Sequence, residues 1–231
     1  MPEEIEKLVT GYQQFHERYF QEERALFDSL VGNGQKPKAL IIACSDSRVD
    51  PSIILHCQPG DLFVIRNVAN LVPPCEADSS CHGTSAALDF GVRVLGIRHI
   101  IVFGHTDCGG IQSLFNKDHV ALLSNGFIAG WMKLTCRAYD ITSKKHSDLS
   151  EQEKEHCCSK YSVLSSILNV ATFPWVKERL DNHSLFLHGW FFDMVTGAVQ
   201  MFDTSQNNFV PLAIPICPIS LPALHGYWES L

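Results

Sequence analysis

Two short apolar runs, each followed at once by a polar loop with metal-binding side chains, most constrain the fold of this 231-residue chain. Residues 39–43 come directly before Cys44, and residues 99–103 come directly before Gly104 and His105. Apolar runs of this length are typical of strands buried on both faces of a parallel sheet. The carboxyl ends of parallel strands meet at one edge, which is where sites form in open α/β sheets. We therefore expect the two polar loops to lie side by side.

The remaining apolar spacing completes an α/β pattern. A third strand is predicted at residues 61–65, and a helix at residues 85–95 separates it from the strand at 99–103. Strand, helix and strand in this order predict a parallel sheet with right-handed crossovers. Helical spacing and capping residues predict four later helices, at residues 109–115, 127–139, 150–170 and 174–180. A final strand pair is predicted at residues 185–192 and 198–202.

Both ends of the chain depart from this central pattern. Apolar residues recur at helical spacing over residues 3–30, which predicts one amphipathic helix or two short ones. Residues 211–222 contain four prolines, which predicts an extended or edge segment rather than a helix. We therefore predict an α/β fold with a central, mostly parallel sheet flanked by helices. An N-terminal helical arm (residues 1–34) precedes one main domain (residues 35–231), which ends in a C-terminal edge segment.

The charge balance excludes some partners. The chain has 18 basic and 25 acidic residues and a formal net charge of −7, without a basic run, so we expect neither nucleic-acid nor membrane binding. The N-terminus reads MPEEIEKLV and lacks the basic and apolar regions of a secretory signal. The apolar runs are too short to span a bilayer. These features predict a soluble, cytoplasmic protein.

Nine scattered cysteines do not resemble a disulfide framework, so most are expected to be reduced and buried. A second metal site is not favoured near Cys75, Cys81 and His82, which lie in a polar loop. The adjacent pair Cys157 and Cys158 lies in a predicted helix, where neighbouring side chains point apart.

Cys44, His105 and Cys108 form the strongest candidate site. Two thiolates and an imidazole suit zinc, and three protein ligands leave a fourth position open, as in catalytic sites. A single His-x-x-Cys is more often chance, and a cysteine after a strand is often plain core. Asp46 and Arg48 favour the metal interpretation, because a buried carboxylate needs a partner and Arg48 can provide a bidentate one.

These motifs carry a family resemblance. The run Cys44-Ser45-Asp46-Ser47-Arg48, together with His105-x-x-Cys108-Gly109-Gly110, resembles the signature of β-class carbonic anhydrases. Arg66-Asn67-Val68-Ala69-Asn70 lies between the two motifs, as it does in that family. The resemblance is close over residues 35–114 and looser over the arm and residues 185–202. From the sequence alone, Arg66 is expected to pair with an acidic residue that remains unidentified.

The resemblance implies a zinc enzyme with one Zn²⁺ per chain that reversibly hydrates carbon dioxide to bicarbonate and a proton. In that family, zinc-bound hydroxide attacks the carbon. The resemblance implies that Asp46 accepts a hydrogen bond from the zinc-bound water, and that Arg48 holds Asp46 ionised and off the metal. It also implies an obligate homodimer in which the N-terminal helix lies over the partner and the active site forms at the interface. Dimers in the family pair into tetramers or octamers.

The family has two kinds of resting site, and this chain resembles the plant-like, open kind. The closed kind usually has Trp three residues before the first cysteine ligand, where this chain has Ile41. The open kind has Gln nine residues before it, at Gln35, whose amide could donate a hydrogen bond to substrate. The apolar wall of the substrate site falls on Phe63 and Val68, and a position often occupied by Tyr is Phe90. Gln35 as a solvated loop residue, and Phe63 and Val68 as plain core, remain alternatives.

Three other functions are weighed against this one. A same-fold hydrolase of carbon disulfide or carbonyl sulfide would share the signature. A non-catalytic zinc-binding module would require a fourth protein ligand, and the presence of Asp46 and Arg48 disfavours it. A thiol redox protein is disfavoured because the sequence has no Cys-x-x-Cys.

Overall fold

The computed structural model describes residues 2–76, 81–115 and 126–231, in two compact units, Met1–Lys36 and Pro37–Leu231. The first unit contains helix α1 (Glu3–His16), a π-helical turn (Glu17–Glu22) and helix α2 (Arg24–Asn33). None of the residues in these three segments, all of which the structure describes, is buried. Aromatic rings join the segments, and the ring centroids of Phe20 and Phe27 lie 4.8 Å apart. The arm is therefore two helices, one of the two arrangements that the sequence left open.

The second unit is built on a six-stranded sheet in the order β2-β1-β3-β4-β5-β6. The first four strands pair in parallel and the last two are antiparallel, which confirms the predicted α/β fold with a mostly parallel sheet. The strands are β1 (Ala39–Cys44), β2 (Leu62–Asn67), β3 (His99–His105), β4 (Phe186–Phe192), β5 (Val199–Asp203) and β6 (Asn208–Pro211).

Helices connect these strands and cover the sheet. The longest, α8, begins with a capping box in which the Ser150 and Glu153 side chains each bond the other's backbone. The helices are α3 (Pro51–Ile54), α4 (Gly83–Asp89), α5 (Gly109–Phe115), α6 (Phe127–Met132), α7 (Cys136–Lys145), α8 (Glu151–Val170), α9 (Pro174–Asp181) and α10 (Leu221–Ser230). No helix in the described part of the chain is long and apolar enough to cross a membrane.

Strand β1 is buried on both faces, as its continuous apolar run predicts. Leu40 and Ile42 pack into the larger core cluster, and Ile41 and Ala43 pack into a second cluster on the other face. The larger cluster also contains Val163, Leu164 and Ile167 of α8. A shift in register would bring the polar residue at one end of this apolar run, Lys38 or Ser45, into the core, so the last residue of the strand, Cys44, has a fixed position.

Two predicted elements need correction. Residues 211–222 were expected to be extended rather than helical. Residues 211–220 are non-helical, as predicted, but Leu221 and Pro222 form the first turn of helix α10. Proline is tolerated there because the first N–H groups of a helix have no partner within the helix. Leu224 and Trp228 of α10 are buried, so packing holds the helix in place. The single helix predicted at residues 127–139 is instead α6, a 3-10 turn (Lys133–Thr135) and α7.

The approach of α8 to β3 predicts the effect of adding one methyl group. A Cβ atom at Gly104 would lie 2.5 Å from Cγ2 of Val163 and 3.2 Å from Cδ2 of Phe191. We expect Gly104→Ala to lower the free energy of unfolding by about 1–3 kcal/mol, measured by chemical denaturation, because an overpacked core is strained. The matched change Gly130→Ala, in α6 with nothing within 4 Å of its Cβ, should be neutral or stabilising. Equal stability of the two variants would contradict this packing.

Candidate metal site

Parallel pairing of β1 with β3 brings the two polar loops together, as predicted. Ala43 lies opposite Phe103, so Cys44 at the end of β1 and His105 at the end of β3 project from the same edge. Cys108 precedes α5 and completes the group. The Sγ atoms of Cys44 and Cys108 are 3.9 Å apart, and the ligand atoms of all three residues lie within 4.8 Å of one another. All three residues are buried.

His105 is oriented for metal binding. Its Nδ1 donates a hydrogen bond to the backbone oxygen of Thr106 at 2.7 Å, which fixes the proton on that nitrogen. The other ring nitrogen, Nε2, is buried and has no hydrogen-bond partner among the described residues. A backbone carbonyl that fixes the tautomer, with the second nitrogen left free, is the usual arrangement of a metal-binding histidine.

The two thiols also fit a metal ion. The hydrogen bond between the two sulfurs lowers the pKa of Cys44, and the same bond together with burial raises the pKa of Cys108. Two buried thiolates at this distance repel, so both ionise only with a cation beside them. A tetrahedral zinc with Zn–S bonds of about 2.3 Å places its sulfurs about 3.8 Å apart. The observed separation of 3.9 Å agrees with that value.

Asp46 and Arg48 form the predicted bidentate pair. Nε and Nη2 of Arg48 donate to Oδ1 and Oδ2 of Asp46 at 3.0 and 2.7 Å, and the Arg48 backbone N–H donates to Oδ1 at 3.0 Å. These bonds lower the pKa of Asp46 to about 2, so its carboxylate is ionised at neutral pH. Nη2 of Arg48 also donates to the backbone oxygen of Asp107 at 3.1 Å, which ties the pair to the second loop. Among the described residues, the ligand atoms that lie close enough to share a metal ion are those of Cys44, His105 and Cys108, and the Asp46 carboxylate is not one of them.

Arg66 holds the first loop, and its acidic partner is Asp50. Its guanidinium donates to the backbone oxygens of Cys44 (2.9 Å) and Asp46 (2.6 Å) and to Oδ2 of Asp50 (2.9 Å). The other carboxylate oxygen of Asp50 caps α3 by accepting from the Ser52 N–H at 2.9 Å. Sequence reasoning missed Asp50, although an Asp directly before Pro51 is a signal for a helix start.

The residues predicted to line the substrate site lie at different places in the described chain. Val68 directly follows β2 and lies next to Gly110 beside the metal-binding group. Phe63 lies opposite Leu40 in the strand register, four positions before Cys44, which is about 13 Å along the strand. Phe63 and Phe90 stack with ring centroids 6.2 Å apart, so they form a separate pair at the other end of β2. Gln35 is exposed and belongs to the first unit.

Comparisons with known proteins agree with this geometry. The sequence profile of the carbonic anhydrase family matches residues 39–199. β-Carbonic anhydrase 3 of Arabidopsis thaliana is 34% identical over 201 residues, which cover 86% of this chain and 77% of that protein.

Two solved structures are similar over most of their length. The structure of the β-carbonic anhydrase CcaA superposes with a TM-score of 0.84 at 33% identity, over 92% of this chain and 94% of that one. A tetrameric β-carbonic anhydrase of Sordaria macrospora superposes with a TM-score of 0.72 at 29% identity, over 84% of this chain and 94% of that one.

The chain belongs to the β-class carbonic anhydrase family. The family's activity is the reversible hydration of carbon dioxide, and its cofactor is zinc, for which Cys44, His105 and Cys108 are suitably placed.

Removal of the metal should destabilise the protein, because the free energy of metal binding is lost and the buried Nε2 of His105 is left without a partner among the described residues. We expect chelation to lower the midpoint of thermal unfolding by about 10 °C. This is the scale for losing a ligand whose free concentration is far above its dissociation constant. Calorimetry with and without added zinc measures this shift.

Cysteine variants provide the control. Cys108→Ala should bind less than one zinc per chain, whereas Cys158→Ala, at a buried cysteine in α8 outside the group, should keep full occupancy. Unchanged zinc content in Cys108→Ala would contradict the ligand assignment.

Proposed function

We propose that this carbonic anhydrase has the open kind of resting site. In this proposal Cys44, His105 and Cys108 hold Zn²⁺, and Asp46 stays off the metal. The observation that carries it is the bidentate pairing of Asp46 with Arg48, at 3.0 and 2.7 Å, beside a group of three ligand atoms. Both carboxylate oxygens of Asp46 are already engaged, so binding zinc would cost it two charge-assisted hydrogen bonds.

Each polar residue then has a distinct task. Zinc supplies Lewis acidity, which can lower the pKa of a water molecule to about 7. Asp46 is the hydrogen-bond acceptor that orients the attacking oxygen, and its pKa of about 2 keeps it ionised over the working pH range. Arg48 holds Asp46 in place, and its bond to the Asp107 carbonyl keeps this pair in register with the loop that carries His105 and Cys108.

The substrate side of the site is proposed to be shared between subunits. Carbon dioxide has no charge and no net dipole, so an apolar wall suits it, and Val68 lies beside the metal-binding group. Gln35, Phe63 and Phe90 would complete the wall from the partner chain of a homodimer. The exposed apolar residues of α1, such as Leu8 and Tyr12, support an assembly that covers them.

A dimer-based assembly agrees with the tetrameric state of the similar Sordaria macrospora enzyme. Dimer, tetramer and octamer remain to be distinguished by light scattering. The cytoplasmic location stays a prediction from the sequence.

Asp46→Asn tests the proposed roles. We expect the variant to keep one zinc per chain and to lose about 100-fold or more in kcat/KM, as for loss of the group that orients the attacking oxygen. Stopped-flow carbon dioxide hydration with zinc quantitation measures both quantities. Asp89→Asn, which breaks an exposed ion pair between the last residue of α4 and Arg93, is the matched control and should retain full activity.

Two results would overturn this proposal. Loss of zinc in Asp46→Asn would make Asp46 a ligand, and an unchanged rate would remove it from the reaction. Assays with carbonyl sulfide and carbon disulfide on the same preparation test the rival hydrolase, which predicts turnover of those substrates and little hydration.

The open site also predicts a simple pH dependence. Activity should rise with pH without cooperativity, because no carboxylate has to leave the metal before a water molecule can bind. Initial rates across a pH series, with and without added bicarbonate, measure this. A steep, cooperative loss of activity on the acidic side, with bicarbonate favouring the inactive form, would indicate the closed kind of site.

A further inference from the structure

One peptide group, between Val68 and Ala69, links the metal-binding group to a distant tryptophan. The indole Nε1–H of Trp131 in α6 donates to the Val68 carbonyl oxygen at 2.8 Å. The Ala69 N–H of the same peptide donates to Sγ of Cys44 at 3.4 Å. The C=O and N–H of a trans peptide point in opposite directions, so both ends of this peptide are engaged.

This peptide is held in an unfavourable backbone conformation. Ala69 has φ = +62° and Asn70 has φ = +50°, in the left-handed region that residues with a Cβ atom rarely adopt. Rotation of the Val68–Ala69 peptide by half a turn would return φ of Ala69 to negative values. The same rotation would turn the N–H away from Cys44 and direct the carbonyl oxygen towards its sulfur.

Other contacts hold the segment without fixing this rotation. The Asn67 side chain bonds both backbone groups of Leu71, with its Nδ2 donating at 2.8 Å and its Oδ1 accepting at 2.9 Å. These bonds set the ends of the turn. The Val68 side chain packs against Gly110, where an added Cβ would lie 2.9 Å from Cγ1 of Val68. The bond from Trp131 acts directly on the carbonyl that would have to swing round.

We propose that Trp131 is a positioning residue of the metal site, which keeps the Ala69 N–H directed at the Cys44 sulfur by preventing the peptide from turning over. The inference rests on the proposed role of Cys44 as a zinc ligand. A hydrogen bond to the carbonyl polarises the peptide and strengthens its N–H as a donor. The N–H in turn stabilises the thiolate, which is the form that binds metal, and withdraws some of its charge, whereas a carbonyl oxygen in its place would repel the thiolate. Two thiolates would otherwise weaken the Lewis acidity of the zinc, so this donor matters for the reaction.

The test is the rate at which zinc leaves the protein. Trp131→Phe keeps an aromatic ring but removes the indole donor. We expect zinc transfer to a chromogenic chelator to accelerate about 10-fold, the usual scale for losing a group that supports a metal ligand. Trp175→Phe, in α9 against Phe173, removes an indole far from the metal and should release zinc at the wild-type rate.

Ala69→Gly separates the bond from simple packing. Glycine adopts positive φ without strain, so the peptide in this background has little reason to turn over. We expect Trp131→Phe to accelerate zinc release much less in Ala69→Gly than in the wild type. An equal effect in both backgrounds would show that Trp131 acts through packing alone and would overturn the proposal. Release from Trp131→Phe at the rate of the Trp175→Phe control would overturn it as well.

Two further observations keep the outcome interpretable. If Trp131→Phe does not fold, benzothienylalanine at position 131 removes the N–H with the ring shape retained, and the same acceleration is expected. Metal analysis of the wild type separates the positioning role of Trp131 from the zinc-ligand role of Cys44, on which it rests. Wild-type protein without zinc would refute the ligand set, whereas zinc-loaded wild type with no effect at Trp131 would refute only the positioning role.

Discussion

The parallel pairing of β1 with β3 is the constraint on which the rest of this structure depends. Strand β1 is enclosed on both faces by apolar side chains, so its register against β3 has a single low-energy solution. That register sets Cys44 beside the end of β3, where His105 and then Cys108 follow. The core therefore brings together two sulfurs, 3.9 Å apart, that repel as thiolates and are compatible when a cation lies beside them.

Contacts outside the metal-binding group keep its loops in place. Arg66, at the end of β2, bonds the backbone on both sides of Ser45 and pairs with Asp50. Arg48 joins Asp46 to the second loop through the Asp107 carbonyl. These are charge-assisted bonds from rigid, planar guanidinium groups, which position backbone oxygens more precisely than a single lysine contact would. The Asp46 carboxylate is thus oriented by Arg48, whose guanidinium bonds the carboxylate and the Asp107 backbone rather than the metal-binding atoms.

Much of the fold and of the metal-binding group could be predicted because both depend on local pattern. Residues 39–43 signal a buried strand, and the strand pair fixes where Cys44 and His105 meet. The helix at Leu221–Ser230 was not predicted, because it depends on the tertiary burial of Leu224 and Trp228. The pairing of Asp50 with Arg66 and of Trp131 with Val68 could not be assigned, because the partners lie 16 and 63 positions apart along the chain.

The placement of the substrate wall has a similar explanation. Phe63 and Val68 are five positions apart on one segment, and sequence spacing alone does not tell which end of β2 each occupies relative to the metal. The pairing of β2 with β1 gives this information. It places Phe63 opposite Leu40, away from the metal-binding group, and it places Val68 beside that group. A wall that includes both residues would need a second chain, as in the proposed homodimer, whereas Phe63 packed against the larger core cluster fits the alternative that it is plain core.

The central claim is that Asp46 stays on Arg48 while three protein side chains bind the zinc. A crystal structure of the zinc-loaded enzyme near neutral pH, with the metal located by its anomalous signal, tests this most directly. The account predicts zinc bound to Cys44, His105 and Cys108, with both oxygens of Asp46 still accepting from Arg48. Density that joins the Asp46 carboxylate to the zinc, with Arg48 released, would contradict it.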